Sequence, residues 1–132
     1  MSSCVRVEHQ RGDRFRIGVR QHRFEVDQPE GDGGTDVAPT PTELFVASLA
    51  SCVAFYARRY LSRHGLSTDG LVVTATFTMA DRPARVGEIQ VEVSLPRGVP
   101  AERQAALLAV ASHCTVHNTL EQPPKVTIEL AA

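Results

Sequence analysis

Two cysteines and the groups beside them are where this sequence could do chemistry. Cys52 sits in the middle of a nearly unbroken apolar run, PTELFVASLASCVAFYARRY (41–60), and Cys114 follows 62 positions later in ASHCTVHNTL. A thiolate is a nucleophile and a metal ligand, and its reactivity follows its ionisation, its exposure and the charges near it. A cysteine can equally be a small buried hydrophobe. At about 100° per residue, the helical face of Cys52 carries Phe45, Leu49, Tyr56 and Tyr60. Cys114 comes just after His113, where one helix should end and a short helical stretch begin. Free backbone N–H groups at such a start favour an anionic sulfur. His113 and His117 flank Cys114 at i, i+4, a spacing that can hold a metal. Three ligands from one short, broken segment are a weak set, and no metal site is expected. His113 is expected to cap the end of its helix. Cys4 alternates out of phase with Val5 and Val7 and reads as an incidental exposed thiol.

The bulk composition narrows the function classes. The chain has 132 residues, enough for one domain with a sizeable core, and a net charge of −1 from 14 basic and 15 acidic residues. That balance gives no general attraction to nucleic acid. Five arginines and a histidine cluster between Arg11 and Arg23. Acidic residues are interleaved with them, as on solvated strand faces. The opening MSSCVRVEHQRGDRF lacks the apolar core of a signal peptide. The run 44–57 is short for a bilayer, and Arg58, Arg59 and Arg63 follow it. A cytoplasmic protein with no membrane partner is expected. Three cysteines, an odd and sparse set, do not describe a secreted disulfide framework.

The elements that must position the cysteines are legible from periodicity. Val5 and Val7, then Phe15, Ile17 and Val19, then Phe24 and Val26 alternate with polar residues, which marks three half-buried strands. Turns at 11–13 and near 21 make them an antiparallel meander. QPEGDGGTDVAPTPT (28–42) is rich in Gly, Pro and Asp and reads as a loop. A helix follows: Thr40 as N-cap, Pro41 at the first helical position and Glu43 completing a T-x-x-E capping box. It should run to about Arg63, with Gly65 as its stop. Being apolar nearly all round, it should be buried nearly all round, by a subunit interface as well as a core. Residues 70–80 and 85–96 form a hairpin joined at DRP. Residues 100–113 form an amphipathic helix, 114–122 a second short one, and PKVTIEL a final strand. The class is α+β: N-terminal meander, long buried central helix, hairpin, second helix pair and closing strand, within a single domain of residues 1–132.

APTPTELFVASLASCVAFYARRYLSRHGL resembles the first-cysteine helix of the OsmC/Ohr family of thiol peroxidases, and HCTVHNTL resembles that family's second-cysteine motif. The order of elements agrees over essentially all of residues 3–130. The resemblance implies an intertwined homodimer with its long helices buried together. It implies Cys52 as the thiol that attacks an organic hydroperoxide and Cys114 as the one that resolves the product to a disulfide, with an external thiol or dithiol as reductant and no cofactor. It also implies a strand arginine, held by a glutamate, that keeps the attacking thiol ionised. Arg23 in HRFEVD is the candidate, with Arg14, Arg16 and Arg20 as alternatives, and Glu43 is the candidate carboxylate. Glu43 stands nine positions before Cys52, where the family has its glutamate ten before. On a continuous helix nine residues turn about 900° and rise roughly 13 Å, so Glu43 points away from Cys52. The alternative reading is a non-catalytic dimer of the same fold that binds a small apolar ligand or senses redox state.

Overall fold

The computed structural model describes residues 3–131. These fall into two compact units, divided between Phe45 and Val46.

The first unit is built on the expected meander. β1 (Val5–Arg11), β2 (Arg14–Val19) and β3 (His22–Val26) pair antiparallel in sequence order. The register sets Val5 against Val19, Val7 against Ile17 and Ile17 against Phe24. One face is therefore apolar, and every polar position between them falls on the other. The loop after β3 is organised from below by Asp27, which is 1% exposed. Its carboxylate accepts hydrogen bonds from the N–H groups of Gln28 (2.7 Å), Thr35 (3.2 Å) and Val37 (3.2 Å), and from the Thr35 hydroxyl (2.7 Å). Burial alone would raise its pKa. The four hydrogen bonds outweigh burial and hold it at about 2. Gly34 is required by this close packing, because a Cβ there would sit 2.1 Å from the Gln28 carbonyl oxygen.

The long helix α1 spans Pro41–Arg63. Its start is the capping box read from the sequence: the Glu43 N–H donates to Thr40 Oγ1 (3.0 Å), and the Thr40 N–H donates to Glu43 Oε1 (2.9 Å). Its end is Gly65, whose φ of +67° places it in the left-handed region. By length and composition α1 could cross a membrane, with a mean hydropathy of 1.2. The core helix of a soluble protein has the same properties.

In the second unit, Leu49, Val53, Ala57 and Leu61 of α1 form one core with Val99, Leu107, Ala111 and Cys114. The hairpin β4 (Val72–Ala80) and β5 (Arg85–Ser94) covers it. Val73, Val91, Val93 and Ile89 point inward, as their period-two spacing requires. α2 (Ala101–Ala111) and α3 (Thr115–Glu121) complete the unit.

Two expectations differ from what is observed. The sequence predicts a central helix buried nearly all round, by a subunit interface as well as a core, and a single chain shows only the core's share. Within one chain its burial follows a stripe, and Phe55 is 52% exposed. One chain supplies cover for only part of its surface. The closing strand is also absent as a paired element: residues 123–131 are neither helix nor strand. Val126, Ile128 and Leu130 keep their alternation but are 73%, 92% and 98% exposed. A strand needs a partner edge, and this segment takes none within the described residues.

Candidate functional site

The second unit brings the two cysteines together. Cys114 is the N-cap of α3, with β-region dihedrals of φ −68° and ψ 158°. The first turn of a helix leaves N–H groups without partners inside the helix. Two of them are taken here by sulfur. The His117 N–H donates to Cys114 Sγ at 3.4 Å, and the Val116 N–H donates to Cys52 Sγ at 3.5 Å. The two thiols lie near each other at this helix start, and Cys52 acts on the ionisation of Cys114. A residue from the middle of α1 and one 62 positions later thus share the same helix start.

The two sulfurs are not equivalent. Cys114 is fully buried, whereas Cys52 is half-buried. Burial pushes the Cys114 thiol above its ordinary range. The His117 and Val116 N–H groups pull it back, while the hydrogen bond and the charge it shares with Cys52 push it up again. Cys114 therefore keeps its proton while the sulfur beside it is the more accessible one.

Tyr56, which the helical spacing places on the Cys52 face, and Arg59, which sequence reasoning did not single out, lie against this arrangement. Tyr56 Oη bonds Thr115 Oγ1 at 2.8 Å and ties α1 to the residue after Cys114. The Arg59 guanidinium lies over the Tyr56 ring at 4.7 Å and the Phe55 ring at 5.1 Å. Cys52, Tyr56 and Arg59 recur at i, i+4 and i+7, so they share a helix face, and that spacing is the signal that could have found Arg59.

The other predicted residues have their own partners. Arg23 and Glu43 belong to the first unit. Arg23 is exposed, and its Nη1 donates to the carbonyls of His22 (3.1 Å) and Arg20 (3.4 Å). Glu43 is engaged in its capping box. Arg14 of the same sheet is part-buried and bonded to Glu25 at 2.9 Å. His113 Nδ1 pairs with the Ala109 carbonyl at 2.7 Å, which is the expected cap. His117 Nδ1 pairs with the Ser112 carbonyl at 2.7 Å, and its Nε2 reaches Glu121 at 3.3 Å. Among the described residues no group of three His, Cys, Asp or Glu side chains could hold a metal ion.

An apolar cavity of about 220 Å³ opens beside the site, lined by Leu49, Val53, Ile89, Val91 and Leu108. His117 forms part of its wall, and neither sulfur does.

Comparison with known proteins adds a family and a fold. The family model described as OsmC-like protein matches residues 31–129. No curated protein matches the sequence. Among solved structures, a protein of Psychrobacter arcticus 273-4 named for osmotic stress induction and a detoxification response is similar in fold. It has a TM-score of 0.82 at 24% identity, over 90% of this chain and 88% of that one. An organic hydroperoxide resistance protein from Legionella pneumophila has a TM-score of 0.63 at 19% identity, over 91% and 89%. Another from Elizabethkingia anophelis has 0.70 at 21%, over 93% and 91%.

Proposed function

The chain belongs to the OsmC-like protein family, and from that premise we propose that it is a cysteine-based peroxidase that reduces organic hydroperoxides. The observation that carries this reading is the pair of neighbouring sulfurs that both accept backbone N–H groups from the start of α3. Cys52, the accessible one, attacks the distal oxygen of R–O–OH as a thiolate. The O–O bond breaks, Cys52 becomes a sulfenic acid, and the alkoxide leaves as an alcohol after taking a proton. The Val116 N–H faces the attacking sulfur, and such a donor favours negative charge on it. Cys114 then condenses with the sulfenic acid, releasing water and forming a Cys52–Cys114 disulfide. An external thiol or dithiol returns both to thiols by exchange. No cofactor enters the cycle. Arg23 and Glu43 remain the proposed cation and carboxylate on the strength of the family resemblance alone, and Arg23→Met tests the cation by a fall in the rate of Cys52 oxidation.

The working form is proposed to be a cytoplasmic homodimer in which residues 1–132 act as one domain completed by a second copy. Supporting this are the unpaired apolar segment 126–130, exposed Phe55, and the exposed apolar face of the first sheet, where Val5 and Val7 are 60% and 54% exposed.

Reduced protein should consume one equivalent of cumene hydroperoxide without added reductant and turn over when a dithiol is supplied. Cys52→Ser should consume none. Cys114→Ser should consume one equivalent and stop at a sulfenic acid that dimedone traps. The second reading, a dimer that binds a small apolar ligand without chemistry, is favoured by the cavity that excludes both sulfurs. It gains if the reduced protein leaves the hydroperoxide intact yet binds an apolar dye that the cavity variant Val91→Trp excludes.

A further inference from the structure

The polar face of the first sheet carries a charge pattern of which the proposed thiol chemistry uses Arg23 alone. Direct partners on antiparallel strands share a face. The register therefore places Arg6 and Arg23 on either side of Gly18, and Glu8 and Glu25 on either side of Arg16. Two arginines of this sheet have carboxylates: Arg6 meets Glu8 at 3.2 Å and Arg14 meets Glu25 at 2.9 Å. Arg23 turns one nitrogen back onto the carbonyls of its own turn. Arg16 and Arg20 have no side-chain partner among the described residues. Arg6, Glu8, Arg16, Gly18, Arg20 and Arg23 enclose a pocket of about 200 Å³, with Cys4 at its rim. Four guanidinium groups and one carboxylate line it, in a chain whose net charge is −1. The positive potential is local to this pocket, where arginines on neighbouring strands have too few carboxylates to balance them.

Gly18 lies in the wall of this pocket. A glycine inside the central strand weakens the sheet and commonly marks a place where a ligand comes close to the backbone. Conformation does not demand it here, since Gly18 is not among the positive-φ glycines. A Cβ at this position would meet the Arg23 guanidinium, nearest at Nη1 (3.2 Å), the far end of a flexible side chain. The missing side chain lets that guanidinium lie close over the backbone, in a pocket that Arg6, Arg16 and Arg20 also line.

We propose that this pocket binds the phosphoryl or pyrophosphoryl group of a small molecule. Guanidinium forks match phosphate oxygens in bidentate geometry, and several converging on one group give selectivity over singly charged anions. Arg16 and Arg20 supply the uncommitted donors, and Arg6 and Arg23 close the sides. The site stands whether or not the thiols react.

Calorimetric titration of the full chain with inorganic pyrophosphate, at constant ionic strength, tests it. Saturable binding of one pyrophosphate per chain is expected. Gly18→Val should weaken it at least tenfold, while the melting temperature without ligand stays equal or rises, because a β-branched residue suits a strand better than glycine. Arg20→Gln should weaken it several-fold. Pyrophosphate should also slow alkylation of Cys4, followed on its own peptide, and not in Gly18→Val. The proposal is overturned if chloride at matched ionic strength competes equally, if Gly18→Val binds as tightly as the wild type, or if an oligonucleotide binds this face where pyrophosphate does not.

Discussion

At Cys114, burial and the adjoining Cys52 sulfur act together to keep a proton on the thiol, against the pull of two backbone N–H groups. The direction has a consequence for stability. The folded chain holds this proton more tightly than the unfolded chain, whose thiol has the ordinary value of 9.0. The contribution to stability is therefore full below that value and fades as pH rises through the higher folded one. The melting temperature should fall as pH rises above about 9, and that of Cys114→Ser should fall less steeply over the same range. Equal slopes would mean that the buried thiol ionises freely. Cys52 and Cys114 were legible in the sequence as candidates, because a thiol amid small residues and another at a helix start are both local patterns. Their meeting was not. It depends on how α1 and α3 pack across 62 intervening positions, and on the Tyr56–Thr115 hydrogen bond, which no local pattern encodes.

Among the elements, the loop after β3 and the first turn of α1 carry the sharpest expectations. Asp27 is held ionised by four hydrogen bonds, with a pKa of about 2 against an ordinary 3.8. A lowered value means that its stabilisation is complete above the ordinary value and is lost as pH falls toward about 2. Asp27→Asn should lower the melting temperature at neutral pH and flatten the acid limb between those two values, read by circular dichroism. Thr40→Ala removes one half of the capping box and should cost about 1 kcal/mol in a denaturant titration. The strands, the capping box and the Gly65 stop were legible because each rests on a short-range rule: period two, T-x-x-E, and a left-handed residue after a helix. The conformation of the loop was not, since it is set by a single buried carboxylate whose partners lie up to ten residues away. Strand charges also hid a distinction. Interleaved signs read as a solvated face, yet cross-strand register sets Arg6 and Arg23 on either side of Gly18, in a pocket that Arg16 and Arg20 also line.

For the whole molecule, the segment that most sharply separates sequence expectation from structure is 123–131. Its alternation of Val126, Ile128 and Leu130 is a strand pattern, and pattern alone cannot say which edge receives it. In the single chain none does, and Ile128 is 92% exposed. If a second copy receives it, Ile128→Asp should shift sedimentation from dimer to monomer while the melting of the isolated chain changes little. A wild-type chain that sediments as a monomer at micromolar concentration contradicts the dimer. The reaction itself is tested most directly by intact-mass measurement of the reduced protein, seconds after one equivalent of an organic hydroperoxide is added. The account predicts a species lighter by two hydrogens, with peptide mapping joining Cys52 to Cys114. A protein of unchanged mass, with both cysteines still open to alkylation after unfolding, would contradict it.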